Sequence, residues 1–197
     1  ILGSVSGFDQ YKTSFSYKPL RQLDVMDMIN ILSAHSDEEI PSGTHPANIC
    51  RETTVLSTVF QLRNWKNNKD VGCVMWMAPG HPCSEVFIPW YLGMDSVPFG
   101  WSRLYSWKDA ESRHFSDGKD LRKNYPGGRY WTYVDRWKSL NVNFGENIGK
   151  RLQEKMSVQM EIFRNQSSTE RRFMLMDRSK RGAQMTKYAD ECYRKSL

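Results

Sequence analysis

The sequence lacks several features that would assign it to a class at once. It has no apolar run long enough to cross a bilayer, so no transmembrane helix is predicted. Its opening stretch, ILGSVSGFDQYKTSFSYKP, has no basic segment followed by an apolar one and is therefore not a signal peptide. Whether a targeting signal lies upstream stays an open question. A phosphate-binding loop, a GxSxG elbow, an HExxH motif and a dinucleotide fingerprint are all missing. No common catalytic motif therefore points to a reaction.

Cysteine is scarce, and its spacing is uninformative. The four cysteines form no CxxC pair and no dense framework, which favours buried thiols. Cys50, Cys73, His81 and Cys83 fit no common structural zinc spacing, so no metal site is predicted. Cys83 and His81 are close enough in sequence for a nucleophile–base contact, but packing in a turn is the more common role of such residues. A Cys73–Cys83 disulfide across a hairpin stays open.

The composition is that of a globular chain with a large aromatic core. Among 197 residues, 39% are hydrophobic and 13% are aromatic, which allows a sizeable buried core. The formal charge of +6 raises the question of anionic partners such as nucleic acid. Much of the basic excess, however, lies in the last thirty or so residues. A basic helical tail is more often a solvated face, so no nucleic-acid partner is predicted.

The first half of the chain predicts one helix and three strands. Apolar residues at helical spacing predict a helix over Leu23–Leu32, with Asp24 near its N-cap. Alternation predicts a strand over Thr53–Arg63, and a continuous apolar run predicts a strand covered on both faces over Val71–Met77. The turn APGHPC leads to a third strand over Glu85–Leu92, which Pro89 places at a sheet edge. Short connections predict an antiparallel meander.

The second half predicts helices. A helix could start within Tyr130–Leu140, and a clearer one is predicted over Phe144–Phe163, followed by another over Thr169–Tyr193. Their stripes are Ile148, Leu152, Met156, Met160 and Phe163 in one, and Met185, Tyr188, Ala189 and Cys192 in the other. Strands and helices therefore come in blocks, which predicts the α+β class.

Several blocks in order resemble the dipeptidase A family of bacterial cysteine dipeptidases. The first is KPLRQLDVMDMINILSAHSDEEIPSGT, with Asp24-Val25-Met26 and the LxxH ending at His35. The second is ICRETTVLSTVFQLRNW, with Arg51, Thr53, Ser57, Leu62 and Arg63 at the family positions. The hairpin block follows, with Val86, Phe87, Pro89, Tyr91, Gly93, Val97 and Pro98, and then Ser106–Ala110. The resemblance covers about Lys18 to Arg164.

This resemblance implies an N-terminal-nucleophile hydrolase with an αββα sandwich. The meander would belong to one of two stacked sheets, and the C-terminal helices would cover it. Residues 1–197 would form a single domain or the C-terminal part of a larger one. Such enzymes hydrolyse the amide bonds of dipeptides or short peptides without cofactor or metal. An N-terminal cysteine attacks, its own α-amine is the base, and a thioester forms and is hydrolysed.

The chain departs from the family because it starts at Ile1. The nucleophile is therefore expected upstream, and the catalytic residues of this chain stay unknown. Arg51, Thr53 and Thr54 are the expected substrate-binding residues, because an Arg there could hold a substrate carboxylate through two hydrogen bonds. The alternative for Arg51 is an ion pair with a nearby acid on the surface. The expected partners are the peptide substrate and the upstream part of the same protein, and a homo-oligomer is left open. The alternative is a non-catalytic homologue or a structural or binding half. The compartment, bacterial cytoplasm or exported, stays undetermined.

Overall fold

The computed structural model describes residues 21–34, 49–50, 54–98 and 144–196, with the side chains of the last segment described from residue 148. The described elements, in chain order, are α1 Val25–Leu32, β1 Leu56–Leu62, α2 Lys69–Gly72, β2 Cys73–Pro79, β3 Ile88–Tyr91, α3 Phe144–Leu175 and α4 Arg178–Ser196. The three strands form an antiparallel sheet in the order β1-β2-β3. The predicted α+β class and the antiparallel meander are therefore confirmed. The helix expected within Tyr130–Leu140 lies outside the described residues.

The start of α1 is fixed by a reciprocal cap that the sequence indicates. Asp24 Oδ1 accepts from the Asp27 N–H at 2.9 Å, and Asp27 Oδ2 accepts from the Asp24 N–H at 2.9 Å. This capping box satisfies amide groups that have no partner within the helix. The Asp27 carboxylate also accepts two hydrogen bonds from the Arg21 guanidinium, which hold the pKa of Asp27 below its usual range. The predicted role of Asp24 is confirmed.

One face of the sheet is covered throughout, and the other is open only along β1. On that second face Met77 and Ile88 are buried, and Trp90 of β3 donates to the Tyr193 hydroxyl of α4 at 2.7 Å. Val59, Trp76 and Tyr91 lie on the covered face, where Tyr91 meets Phe173 of α3 edge-on at 5.4 Å between ring centroids. On the other face of β1, Leu56 is 50% exposed, and the values for Phe60 and Leu62 are 65% and 75%. The alternation predicted for β1 is confirmed, but its less apolar face is the one that is buried. Large apolar side chains therefore stand exposed along β1, at one end of this face.

The strand limits differ from the prediction at β2 and β3. The segment Lys69–Gly72 forms one helical turn, so β2 starts at Cys73. Because Cys73 and Met75 are only half-buried, the prediction that β2 is covered on both faces was wrong for its first half. The third strand is shorter than expected because Gln159 of α3, not another strand, bonds the backbone of Phe87. Pro89 lies in β3, which is the last strand of the described sheet, as predicted.

The helix boundary was also predicted in the wrong place. A single helix runs through the Ser-Ser-Thr segment at residues 167–169 and ends at Leu175. The next helix begins after Asp177, whose carboxylate accepts from the Ser179 N–H and hydroxyl at 2.9 and 3.0 Å. Asp177 thus supplies the cap that the prediction assigned near Thr169. The stripe predicted for α4 is confirmed, with Met185, Ala189 and Cys192 buried and Tyr188 half-buried. The stripe predicted for the preceding helix was wrong at Met156, which is exposed.

Candidate functional site

The turn between β2 and β3 is a packed interior corner. Gly80 adopts a φ of +82°, which only glycine adopts readily, and the backbone then folds back so that His81 O accepts from the N–H groups of Ser84 and Glu85. His81, Cys83 and Ser84 are completely buried, and Glu85 is 1% exposed. The side chains of this turn are therefore closed off from solvent.

Lys155 of α3 reaches into the corner. Its Nζ donates to the Pro82 carbonyl and to Ser33 Oγ, the latter at 2.9 Å, and the Ser33 hydroxyl donates to the same carbonyl at 2.7 Å. One ammonium thereby joins the end of α1, the turn and α3. Only 1% of Lys155 is exposed, and this burial lowers its pKa to about 8.

Arg151 of α3 holds the other side of the corner. Its Nε donates to the Ser84 carbonyl at 2.8 Å, and its guanidinium lies 3.6 Å from the Glu85 carboxylate. The buried carboxylate therefore has a cation beside it, as a buried charge requires. Two successive turns of α3 thus fix the chain from Pro82 to Glu85.

The cysteines occupy positions that do not suit nucleophilic attack. Cys50 and Cys83 are completely buried, and their thiols are hydrogen-bonded to each other. That hydrogen bond, followed by burial, raises the pKa of Cys83, whereas an attacking thiol needs a lowered one. Burial likewise raises the pKa of Cys192 to about 12. Cys73 is a half-buried residue of β2. A Cys83–His81 nucleophile pair is therefore not supported.

The disulfide left open by the sequence is not formed. All four cysteines are thiols, and the partner of Cys83 is Cys50 instead of Cys73. In the part of the chain that the structure describes, no three His, Cys, Asp or Glu side chains are grouped to hold a metal ion.

The expected substrate-binding block lies next to this corner in the chain. Arg51 and Thr53 are outside the described residues, and Thr54 is half-buried just before β1. The residues on either side of the block touch the turn. Cys50 packs with Cys83 in one buried cluster, and Val55 O accepts from the Gly80 N–H at 2.9 Å. The flanks of residues 51–54 are therefore anchored to the β2–β3 corner. The contacts of Arg51 itself stay a prediction.

A second polar cluster, missed in the sequence, lies beneath the sheet. Glu170 of α3 accepts two hydrogen bonds from Arg63, one of them at 2.8 Å, and a third from Gln166 at 2.8 Å. Gln166 also donates to Gln61 Oε1 at 2.7 Å, and the Tyr91 hydroxyl lies 3.4 Å from Glu170. These groups satisfy one another and have the character of a structural clamp. The sequence does contain a pattern that could have revealed them, because the polar residues of α3 that lie on one buried face recur at helical spacing. These residues are Lys155, Gln159, Gln166 and Glu170.

A groove of about 520 Å³ separates α1 from the end of β1. It is lined by the segments Arg21–Val25 and Val59–Arg63, together with Met28. Thr54 precedes the opposite end of β1, so the groove and the expected substrate-binding block are apart. Its two arginines already bind carboxylates, Arg21 that of Asp27 and Arg63 that of Glu170.

Comparisons of the chain with protein-family models, with curated proteins and with solved structures gave no match in any of the three. Within the described residues, no helix is both long enough and apolar enough to span a bilayer.

Proposed function

We propose that this chain is the C-terminal portion of an N-terminal-nucleophile cysteine dipeptidase. The whole protein would hydrolyse the peptide bonds of dipeptides or short peptides, with its nucleophilic cysteine upstream of Ile1. This chain would supply one sheet, its outer helices and part of the substrate-binding surface. The resemblance of the blocks between Lys18 and Arg164 motivates the proposal.

The observation that carries the proposal is the exposed apolar surface that β1 presents on one face of the sheet. An αββα sandwich requires each sheet to have helices on one face and a second sheet on the other. Here α3 packs on one face through Phe173 and Tyr91. On the other face Leu56, Phe60 and Leu62 of β1 stand exposed, whereas the β3 end of that face meets α4 through the Trp90–Tyr193 hydrogen bond. Exposed apolar side chains grouped in this way are typical of a surface that another element covers.

The state of the cysteines supports an attacking thiol outside this chain. Three of the four are buried, at Cys50, Cys83 and Cys192, and Cys73 lies within the ladder of β2. A nucleophile has to reach the substrate carbonyl, and a thiol sealed in a core does not. The fold therefore fits a supporting role for this chain.

Arg51 is proposed to bind the substrate carboxylate. The flanking residues Cys50 and Val55 lie against the β2–β3 corner, so the segment that carries Arg51 starts and ends beside it. In the whole protein, Arg51→Ala should raise KM for free dipeptides with little change in kcat or in the unfolding midpoint. The control is a dipeptide amide, which lacks the carboxylate and should lose little on the same substitution. Unchanged KM for free dipeptides would remove this role.

The sandwich is tested by charging its open face. Phe60→Lys should destabilise the whole protein by about 2 kcal/mol or more if a second sheet buries that face. The matched control is Leu175→Lys, at the end of α3, where the side chain is 83% exposed. Equal, small effects of the two substitutions would count against a stacked sheet.

The activity is tested on the whole protein with a panel of dipeptides. Hydrolysis that iodoacetamide abolishes, with the alkylated residue mapped to a cysteine upstream of Ile1, is the expected result. Hydrolysis that survives alkylation of that cysteine would refute the thiol mechanism. A folded, intact protein without hydrolysis would favour the non-catalytic alternative.

A further inference from the structure

Cys50 and Cys83 meet inside the protein although 32 residues separate them in the chain. Both are completely buried, and together with Ile148 they form a small apolar cluster against which Leu152 packs. Their thiols are hydrogen-bonded to each other. The two thiols therefore lie side by side in one cluster before any reaction.

The chain around this contact is held firmly on the side of Cys83. The carbonyl of the preceding residue, Pro82, accepts from Lys155 and Ser33, and the carbonyl of the following residue, Ser84, accepts from Arg151 at 2.8 Å. Cys83 thus belongs to a rigid corner, whereas Cys50 belongs to the segment that leads into residues 51–54.

We propose that Cys50 and Cys83 are a disulfide-forming pair, and that oxidation of the folded protein links the segment before β1 covalently to the β2–β3 turn. The proposal does not depend on the dipeptidase assignment. It replaces the Cys73–Cys83 pairing that the sequence left open, because the geometry of the fold joins Cys83 to a different cysteine.

The oxidant is a small-molecule disulfide such as oxidised glutathione. One protein thiolate attacks a glutathione sulfur, forms a mixed disulfide and displaces one glutathione thiolate, which takes up the released proton. The second protein thiolate then attacks the protein sulfur of the mixed disulfide and displaces the second glutathione. Two protein thiols thereby lose two protons and two electrons, and one oxidised glutathione becomes two reduced ones.

Lys155 is placed to assist this exchange. Its Nζ donates to the carbonyl of Pro82, the residue before Cys83, so a positive charge lies beside the pair and favours a thiolate there. Complete burial limits the rate, because the oxidant reaches the pair only when the segment that carries Cys50 opens. We therefore expect slow oxidation that urea below the unfolding transition accelerates.

The test is to map the disulfide after the folded protein is incubated with oxidised glutathione. The remaining thiols are alkylated, and the protein is cleaved with trypsin and chymotrypsin, since cleavage after Trp76 separates Cys73 from Cys83. The expected product is a Cys50–Cys83 cross-linked peptide with two of the four thiols lost. The oxidised protein should also unfold at a higher urea concentration, by a shift on the order of 1 M that dithiothreitol reverses.

Two variants sharpen the result. Cys73→Ala should leave the cross-link unchanged, and Cys50→Ala should abolish it and retain three thiols. A Cys73–Cys83 linkage, or four intact thiols in a folded sample when an unfolded control is fully oxidised, would overturn the proposal. The mapping on the unsubstituted protein decides the matter even if Cys50→Ala fails to fold.

Discussion

Replacing Glu170 by Gln should remove the central charge of the clamp beneath the sheet. Glu170 is 1% exposed and accepts hydrogen bonds from Arg63 and Gln166. The substitution keeps the size of the side chain but leaves the Arg63 guanidinium without its buried counter-charge. The other arginine contacts, with the carbonyls of Gly72 and Val71, do not replace a carboxylate.

The magnitude follows from how deeply the pair is buried. Removing one partner of a buried ion pair costs about 3–5 kcal/mol, and the lower end applies because the Arg63 side chain is 24% exposed. With a urea m-value of about 2 kcal/mol/M, a loss of about 3 kcal/mol lowers the unfolding midpoint by about 1.5 M. Tryptophan fluorescence in urea measures this shift, because Trp76 is buried against the same cluster.

The matched control lies on the same helix. Glu161 pairs with Lys195, but both side chains are about half exposed, so Glu161→Gln should cost less than about 1 kcal/mol. Equal midpoints for Glu170→Gln and Glu161→Gln would refute the clamp. A second check is the double variant with Arg63→Met, which should be more stable than Glu170→Gln alone because the uncompensated charge is gone.

Three further predictions concern single contacts. Gln159→Leu should lower the free energy of unfolding by about 2–4 kcal/mol, because both backbone groups of Phe87 lose their hydrogen-bond partner. Gln153→Leu, on the exposed side of α3, should leave the unfolding midpoint nearly unchanged in the same urea titration. Burial raises the pKa of Cys192 to about 12, compared with about 8.5 in the unfolded chain. Its contribution to stability is therefore complete below about pH 8.5 and is lost as the pH rises toward 12. Cys192→Ala should flatten this alkaline loss of stability, and an unchanged slope would contradict the assignment. Asp24→Ala should cost about 1 kcal/mol through loss of the cap on α1, and Asp24→Asn should restore most of it in thermal unfolding, since Asn accepts the same hydrogen bond.

The candidate site was only partly foreseeable. The turn after β2 stands out in the sequence because it concentrates Pro, Gly, His and Cys, and the structure confirms that it is a structural corner. The partners that define it, Lys155 and Cys50, are remote in the chain, and no local pattern links them to the turn. The roles expected for Arg51, Thr53 and Thr54 stay predictions.

Local patterns alone determined the elements with strong periodicity or a capping residue. The alternation of β1, the capped start of α1 and the apolar stripe of α4 follow from backbone geometry and side-chain spacing, so neighbouring residues suffice to predict them. Three features did not follow in this way: which face of β1 is buried, the late start of the third strand at Ile88, and the polar buried stripe of α3. These depend on which distant groups meet: Gln159 satisfies the backbone of Phe87, and Glu170 balances Arg63. Because a buried polar group is stable only when its partner is present, only the tertiary structure decided where such groups lie.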